Sequence, residues 1–246
     1  MPLLQKKRYR PTVAATHVPA VGGSLGLQTN LGSFFSLDNT LADATGNVTD
    51  LTNNNAVTFV SSAPTPIAAV TNSAKFVAAS SQYLSHANAT GINVAGIDFS
   101  IQVWVYPTGT GQISSKTTGG FGSREYDLIR PFVTGTNDPC RAEINNGGNI
   151  TSGSVTTSAW HHLVLTYNNS TNAMILYIDG SSAATGTSSS DAAGTSQLNI
   201  GAGPAPSNYW SGNMALYGTW RNRILSASDV TALYNSGAGL SYAAMA

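Results

Sequence analysis

The sequence predicts an all-β fold, an antiparallel sandwich or barrel with one short C-terminal helix. Three observations support this. Trp160–Gly180, WHHLVLTYNNSTNAMILYIDG, is two strands joined by a polar turn. Short strand-like segments recur along the chain with turn residues between them. Helix punctuation is clear in one place only, after Ser226.

Residues 1–28 read as an extended basic arm, with Pro, Gly and β-branched residues and no sustained period. The body, residues 29–246, begins with a strand over Gly32–Leu37, followed by Ala74–Val77 and Gln82–Ser85. Phe99–Tyr106 is the clearest strand. Phe99, Ile101, Val103 and Val105 fall on one face, and Ser100, Gln102, Trp104 and Tyr106 on the other, as expected of a central strand covered on both sides. Tyr126–Val133 follows. Then comes the Trp160 hairpin, with Leu163, Leu165 and Tyr167 on one face and Trp160, His162, Val164 and Thr166 on the other. Its turn, Asn168–Asn172, consists of residues that bond their own backbone, and Asp179-Gly180 makes a second turn. Gln197–Ile200 and Asn213–Thr219 complete the strands. The helix is capped by Ser226 with Asp229 three residues on, ends before Gly237, and turns Val230, Leu233 and Tyr234 to the sandwich.

The chain has 246 residues and one cysteine, Cys140, so it has no disulfide framework. Only 9% of residues are charged. Lys6, Lys7, Arg8 and Arg10 lie in the first ten positions, which leaves the remainder with seven basic and eleven acidic residues, a net of about −4. That balance disfavours a nucleic-acid footprint, and the arm suits an acidic groove on a protein better. Residues 11–30 lack the apolar core of a secretory signal, so synthesis in cytoplasm is expected. No segment reaches the ~20 apolar residues that span a bilayer, so no membrane partner is expected.

Several segments, in order, resemble the laminin-G-like, concanavalin A-like lectin/glucanase superfamily over most of residues 31–242. They are FFSLDNTLADATGNVTD, AKFVAASSQYLS, FSIQVWVYPT, WHHLVLTY with LYIDG, and SGNMALYGTWRNRILSASDVTALYNSG. The resemblance implies a two-sheet jelly-roll sandwich, an architecture shared by lectins, glycosidases, adhesive modules and virion proteins. Ala215 and Leu216 stand where many members carry an acidic pair, and Ala78 or Ala79 replaces the usual glycine.

Glucanases of this superfamily carry Glu-x-Asp-x-x-Glu on one strand, and this chain has Glu125-Tyr126-Asp127-Leu128-Ile129-Arg130. Arg130 cannot serve as a general acid, and Glu143 is the only other Glu, so no catalytic residue is assigned. Arg124, Glu125, Asp127 and Arg130 read instead as a charge ladder on one strand. His161 and His162 alternate to opposite faces and cannot share a metal ion. His17 and His86 lack zinc-ligand spacing. Asp38, Asp43, Asp50 and Asn53–Asn55 offer oxygens for calcium, but Asp43 and Asn39 equally make Asx turns and no twelve-residue calcium loop is present. No metal or cofactor is therefore assigned. For sugar the best candidates are Asn208, Tyr209 and Trp210, after the turn Gly203–Ser207, where an aromatic platform would stand beside an amide; the competing reading has Tyr209 and Trp210 beginning a buried strand.

These features lead to the expectation of a non-enzymatic homo-oligomeric module on a bacteriophage virion surface, a structural or capsid decoration protein. Lys6, Lys7, Arg8 and Arg10 would anchor it to other virion or surface proteins, and its loops would adhere weakly to host or environmental glycans. A free extracellular carbohydrate-binding lectin, and a glycoside hydrolase with an altered acid/base, are the alternatives.

Overall fold

A computed structural model describes residues 24–61, 67–117, 124–130, 137–144, 148–188 and 194–246. The strands are β1 (Leu31–Phe35), β2 (Thr52–Asn54), β3 (Thr58–Ser61), β4 (Asn72–Phe76), β5 (Tyr83–His86), β6 (Phe99–Pro107), β7 (Gly111–Thr117) and β8 (Arg124–Arg130). After these come β9 (Asn137–Ile144), β10 (Gly148–Thr156), β11 (His161–Asn168), β12 (Ala173–Ile178), β13 (Ser181–Thr187), β14 (Leu198–Ile200) and β15 (Gly212–Arg221), with helix α1 at Ala227–Tyr234. Sheet A has the order β13-β12-β11-β6-β15-β4-β3, with β1 also paired to β15; sheet B has the order β10-β9-β8-β7-β14-β5-β2. All of these pairings are antiparallel. The two-sheet jelly-roll sandwich with one short α-helix is what the sequence leads one to expect.

The alternating pattern of β6 and β11 supplies the packing. Phe99, Ile101, Val103 and Val105 join Leu163, Leu165 and Tyr167 between the sheets, where they meet Tyr126, Leu128, Ala142 and Ile144 of sheet B. The opposite faces of the same strands are not left to solvent. Trp104 and Val164 pack with Ala215, Leu216 and Trp220 beneath α1 in a second apolar layer, to which the helix contributes Val230 and Leu233. A central strand with both faces covered follows. The Ala215-Leu216 step lies in that layer, at a register shift between Ala215 and Gly218, with Leu216 at φ +51°.

Local chemistry fixes the ends of these elements. Ser226 Oγ accepts from Asp229 N–H while the Asp229 carboxylate accepts from Ser226 N–H, and Asn235 closes the helix in the left-handed region. Asn168 Oδ1 accepts from the N–H groups of Ser170 and Thr171, holding the β11–β12 turn. Asp179 and Gly180 both take positive φ, as a two-residue hairpin turn requires.

Residues 25–28, expected in the arm, pack with the body. Leu25 and Leu27 N–H donate to the carbonyls of Ala246 and Met245, Trp220 Nε1–H donates to Leu27 O at 2.6 Å, and Gln28 Nε2 reaches Tyr242 O. Leu27 is buried. Burial and backbone pairing, both invisible to a local reading, set the lower edge of the packed body. Lys6, Lys7, Arg8 and Arg10 lie outside the described residues.

Candidate functional site

Gly201–Ser211 connects β14 to β15 and is stitched to β7. Gln112 N–H donates to Asn208 O at 2.7 Å, Trp210 N–H to Gly201 O at 2.9 Å, and Gly203 N–H to Ser207 O at 2.7 Å. The backbones run so close that a Cβ on Gly111, at φ +143°, would collide with Tyr209 O, so only glycine serves there. Asn208, at φ +48°, is exposed at the tip.

The three sugar-site candidates separate in this setting. Tyr209 is half-buried, its hydroxyl donates to Pro206 O at 2.9 Å, and its ring meets that of Tyr83 at 6.2 Å. Trp210 is fully buried in the inter-sheet layer. Its assignment as a platform is therefore corrected: residues alternate about the chain here, and the strand that begins at Gly212 draws Trp210 inward. Tyr83, on β5 opposite Asn54, takes its place at the rim. The sequence reading missed Tyr83 because the pairing joins residues more than a hundred positions apart.

The glucanase-like residues are divided by a β-bulge. Lys116 opposes Tyr126 and Thr117 opposes Arg124, which leaves Glu125 as the extra residue. Its carboxylate meets Lys116 Nζ at 2.5 Å, and neither side chain is exposed. Lys116 Nζ also donates to Asn88 Oδ1 at 2.8 Å and Ser196 O at 2.9 Å, while Val94 N–H donates to the other Glu125 oxygen. A Cβ on Gly194 would collide with this carboxylate. Burial pushes the Glu125 carboxyl up and the Lys116 ammonium down, and their mutual attraction opposes both shifts. A carboxylate sealed in this way is not presented to a substrate. Glu125 is therefore not in line with Asp127 as a rung of a charge ladder along one strand face, contrary to expectation.

Asp127 remains on the outer face of sheet B. It lies in a polar row that runs across the sheet through Ser85, Asn199, Ser115, Asp127 and Glu143 by direct cross-strand register. Asp127 is 1% exposed and Glu143 8%, and Arg141 bonds Glu143 at 3.0 Å. The two carboxylates are neighbours, as a hydrolase would need, but both are covered.

His161 and His162 do point to opposite sides. Thr156 N–H donates to His161 Nε2 at 3.1 Å, so the ring proton sits on Nδ1, 2.8 Å from the Asp179 carboxylate. This clamps the β10–β11 turn. His162 is buried and stacked on Trp104, ring centres 5.0 Å apart. Burial pushes its pKa down to about 3, and Asp179 opposes this weakly, so the ring is neutral.

Two of the acidic calcium candidates, Asp38 and Asp43, have their oxygens committed elsewhere, while Asp50 is exposed. Asp43 accepts from the N–H groups of Phe34, Thr45, Asn47 and Val48, an Asx-type turn. Asp38 accepts from the N–H groups of Thr71 and Asn72; burial opposes its ionisation, but these bonds outweigh it and hold the carboxyl below its ordinary value. Lone pairs facing N–H donors do not face a cation. Among the described residues no group of three or more His, Cys, Asp or Glu is placed to hold a metal, and no helix is long and apolar enough to cross a membrane.

The model of a family described as the concanavalin A-like lectin/glucanases superfamily matches residues 78–231. No curated protein sequence matches the chain. Among solved structures, domain 4 of AbnA, a GH43 extracellular arabinanase from Geobacillus stearothermophilus, in complex with arabinotriose, is similar at a TM-score of 0.62 and 17% identity, over 82% of this chain and 97% of that one. The binding domain of Paraclostridial Mosquitocidal Protein 1 is similar at 0.63 and 17%, over 86% and 53%. The binding domain of Botulinum Neurotoxin DC, in complex with SialylT, is similar at 0.62 and 14%, over 85% and 52%. This chain spans about half the length of the two toxin domains. At these identities the likeness is one of fold.

Proposed function

The chain belongs to the concanavalin A-like lectin/glucanase superfamily, and from that footing we propose that it is a non-catalytic glycan-binding module. The observation that carries this reading is the rim at Tyr83, Asn208 and Tyr209. Two half-buried rings lie 6.2 Å apart, Tyr209 on a loop bonded to β7 and Tyr83 on β5, with the exposed Asn208 next to Tyr209 in the chain. A sugar face can stack on such rings while its hydroxyls bond the amide. The sealed state of Glu125 and the burial of Asp127 support binding without hydrolysis. That a domain of like fold was solved with arabinotriose lends further support.

The finer reading is display on a virion surface, with the residues that precede Leu25 as anchor and several copies acting together. Four cations precede a body of net negative charge, which suits docking on an acidic protein groove, and many copies would offset weak single-site binding.

Tyr209→Ala tests the first reading. The ring packs at the rim and not in the core, so the domain should keep its circular dichroism spectrum while glycan-array binding falls about tenfold. An unchanged array profile would overturn it. Removing the first 24 residues tests the finer reading. Virion display requires the loss of co-sedimentation with particles from a folded domain, whereas a chain that is soluble with or without the arm favours the free lectin.

A further inference from the structure

At the end of β15 remote from the Tyr209 loop, a recess of about 320 Å³ lies between the start of β1, the turn that carries Asn47 and the turn at Thr90–Ile92. The ten residues of β15, at ~3.3 Å each, hold it roughly 30 Å from that loop. Asn30, Asn47, Thr90 and Asn222 are exposed around it. Gly32 and Gly91 are buried in its wall and lie so close that a Cβ on either would collide with the carbonyl oxygen of the other, so this part of the wall is bare backbone.

Arg221, the last residue of β15, is half-buried, and no Asp, Glu or Lys is among the described residues that line the recess with it. Its Cγ and Cδ lie over Gly32, where a Cβ would come within 3.0 Å of both, and its Nε–H donates to Asn93 O at 2.6 Å. Stem and Nε are thereby fixed, and the planar guanidinium with them. Nη1 and Nη2 have neither a hydrogen bond nor an ion pair with a described residue, whereas Arg141 and Arg223 each meet a carboxylate. Asp43, in the turn that carries Asn47, has its oxygens on N–H groups. Asn47 Nδ2 donates to the carbonyls of Leu31 and Gly32 at 3.3 Å, and Asn30 Nδ2 to Asn222 O at 3.2 Å. Both amides keep a side-chain oxygen that no described residue answers.

A fixed fork of donors with one positive charge calls for a planar acceptor with one negative charge. Exposed amide oxygens beside it call for hydroxyl donors. A cation would be repelled, an apolar ligand would answer neither group, and a nucleic-acid backbone needs several cations where one stands. We infer that this recess is a second ligand site, taking an acidic sugar whose carboxylate accepts from Arg221 Nη1 and Nη2 and whose hydroxyls donate to the amide oxygens of Asn30 and Asn47. Its volume lies at the lower end of small-molecule pockets and suits a single sugar ring. The inference rests on the glycan-binding reading and adds to it a class of glycan, chains that carry uronic acids, at a site independent of Tyr209.

The test is a titration of the ¹⁵N-labelled full chain with the methyl glycosides of glucuronic and galacturonic acid, against methyl β-D-glucopyranoside, its 6-sulfate and acetate. The Arg221 Nε–H signal and the backbone amides of Gly32 and Gly91 should move saturably with at least one uronic acid. The neutral glycoside and acetate each supply only part of the contacts and should bind about tenfold more weakly. Arg221→Gln should weaken the response read at Gly32 and Gly91 about tenfold. Should that variant fail to fold, Asn222→Asp keeps the side-chain shape and a residue type that tolerates the φ of +52° there, puts a carboxylate at the recess, and should abolish the response. The site is overturned if neither uronic acid moves these signals, if the neutral glycoside or acetate moves them equally well, if the 6-sulfate alone does, or if the response survives Asn222→Asp. Tyr209-dependent array binding without movement at Gly32 and Gly91 would remove this site and leave the rim reading standing; movement there with an array profile indifferent to Tyr209→Ala would keep the site and remove the rim.

Discussion

The two layers that flank sheet A handle buried ionisable groups in opposite ways. Between the sheets, the end of the core holds Lys116 and Glu125 as an ion pair, with Asn88, Ser196 and Val94 completing the bonds. Under α1 the outer layer holds His162 uncharged against Trp104 and Tyr234. One layer keeps its charges by pairing them; the other excludes charge and stacks rings. The ion-paired end is closed on itself, whereas the stacked layer borders a recess lined by Trp104, Trp160 and Tyr234.

Breaking the pair should have the largest effect. Lys116→Met leaves Glu125 buried without its cation and should cost about 3–5 kcal/mol in urea unfolding, while Lys116→Met combined with Glu125→Leu should recover most of that loss. If the single variant is nearly as stable as the parent, the pair is not what closes this end. The neutral histidine should show itself through pH. Its folded pKa of about 3 lies below the unfolded value of about 6.5, so the unfolded chain takes up the proton first. The contribution of His162 is therefore whole above pH 6.5 and is lost as pH falls toward 3, by about 1.4 kcal/mol per pH unit. His162→Gln should flatten that part of the stability profile, and an unchanged slope would assign it to other groups. Smallest is the helix that roofs the outer layer: Ser226→Ala removes the capping box and should lower stability by about 1 kcal/mol, read as a small drop in melting temperature.

What was legible in the sequence was whatever a short window records. The faces of β6 and β11, the Asn168–Asn172 and Asp179-Gly180 turns and the Ser226 cap all follow from local periodicity or local bonding. Strand β7, GQISSKT, has no alternation to announce it; its polar residues are buried because Ser115 finds Ala202 O and Lys116 finds Glu125. A bulge re-aims Glu125, and a bulge depends on the partner strand. Trp210, after a Pro-rich turn, could be read as a surface platform or as the start of a buried strand, and the fold places it in the core. The outer layer was the hardest to foresee, because it is closed by contacts such as Trp220 to Leu27, 193 positions apart.

That same closure brings residue 25 against residue 246 through a backbone hydrogen bond of 2.9 Å. The packed body is therefore nearly a closed ring of chain, and whatever is tethered through residue 24 or through residue 246 leaves it at one point. A short linker from residue 246 to residue 25, with new ends opened in the Asn168–Asn172 turn, would move the point of exit to the end of β11 without altering either layer.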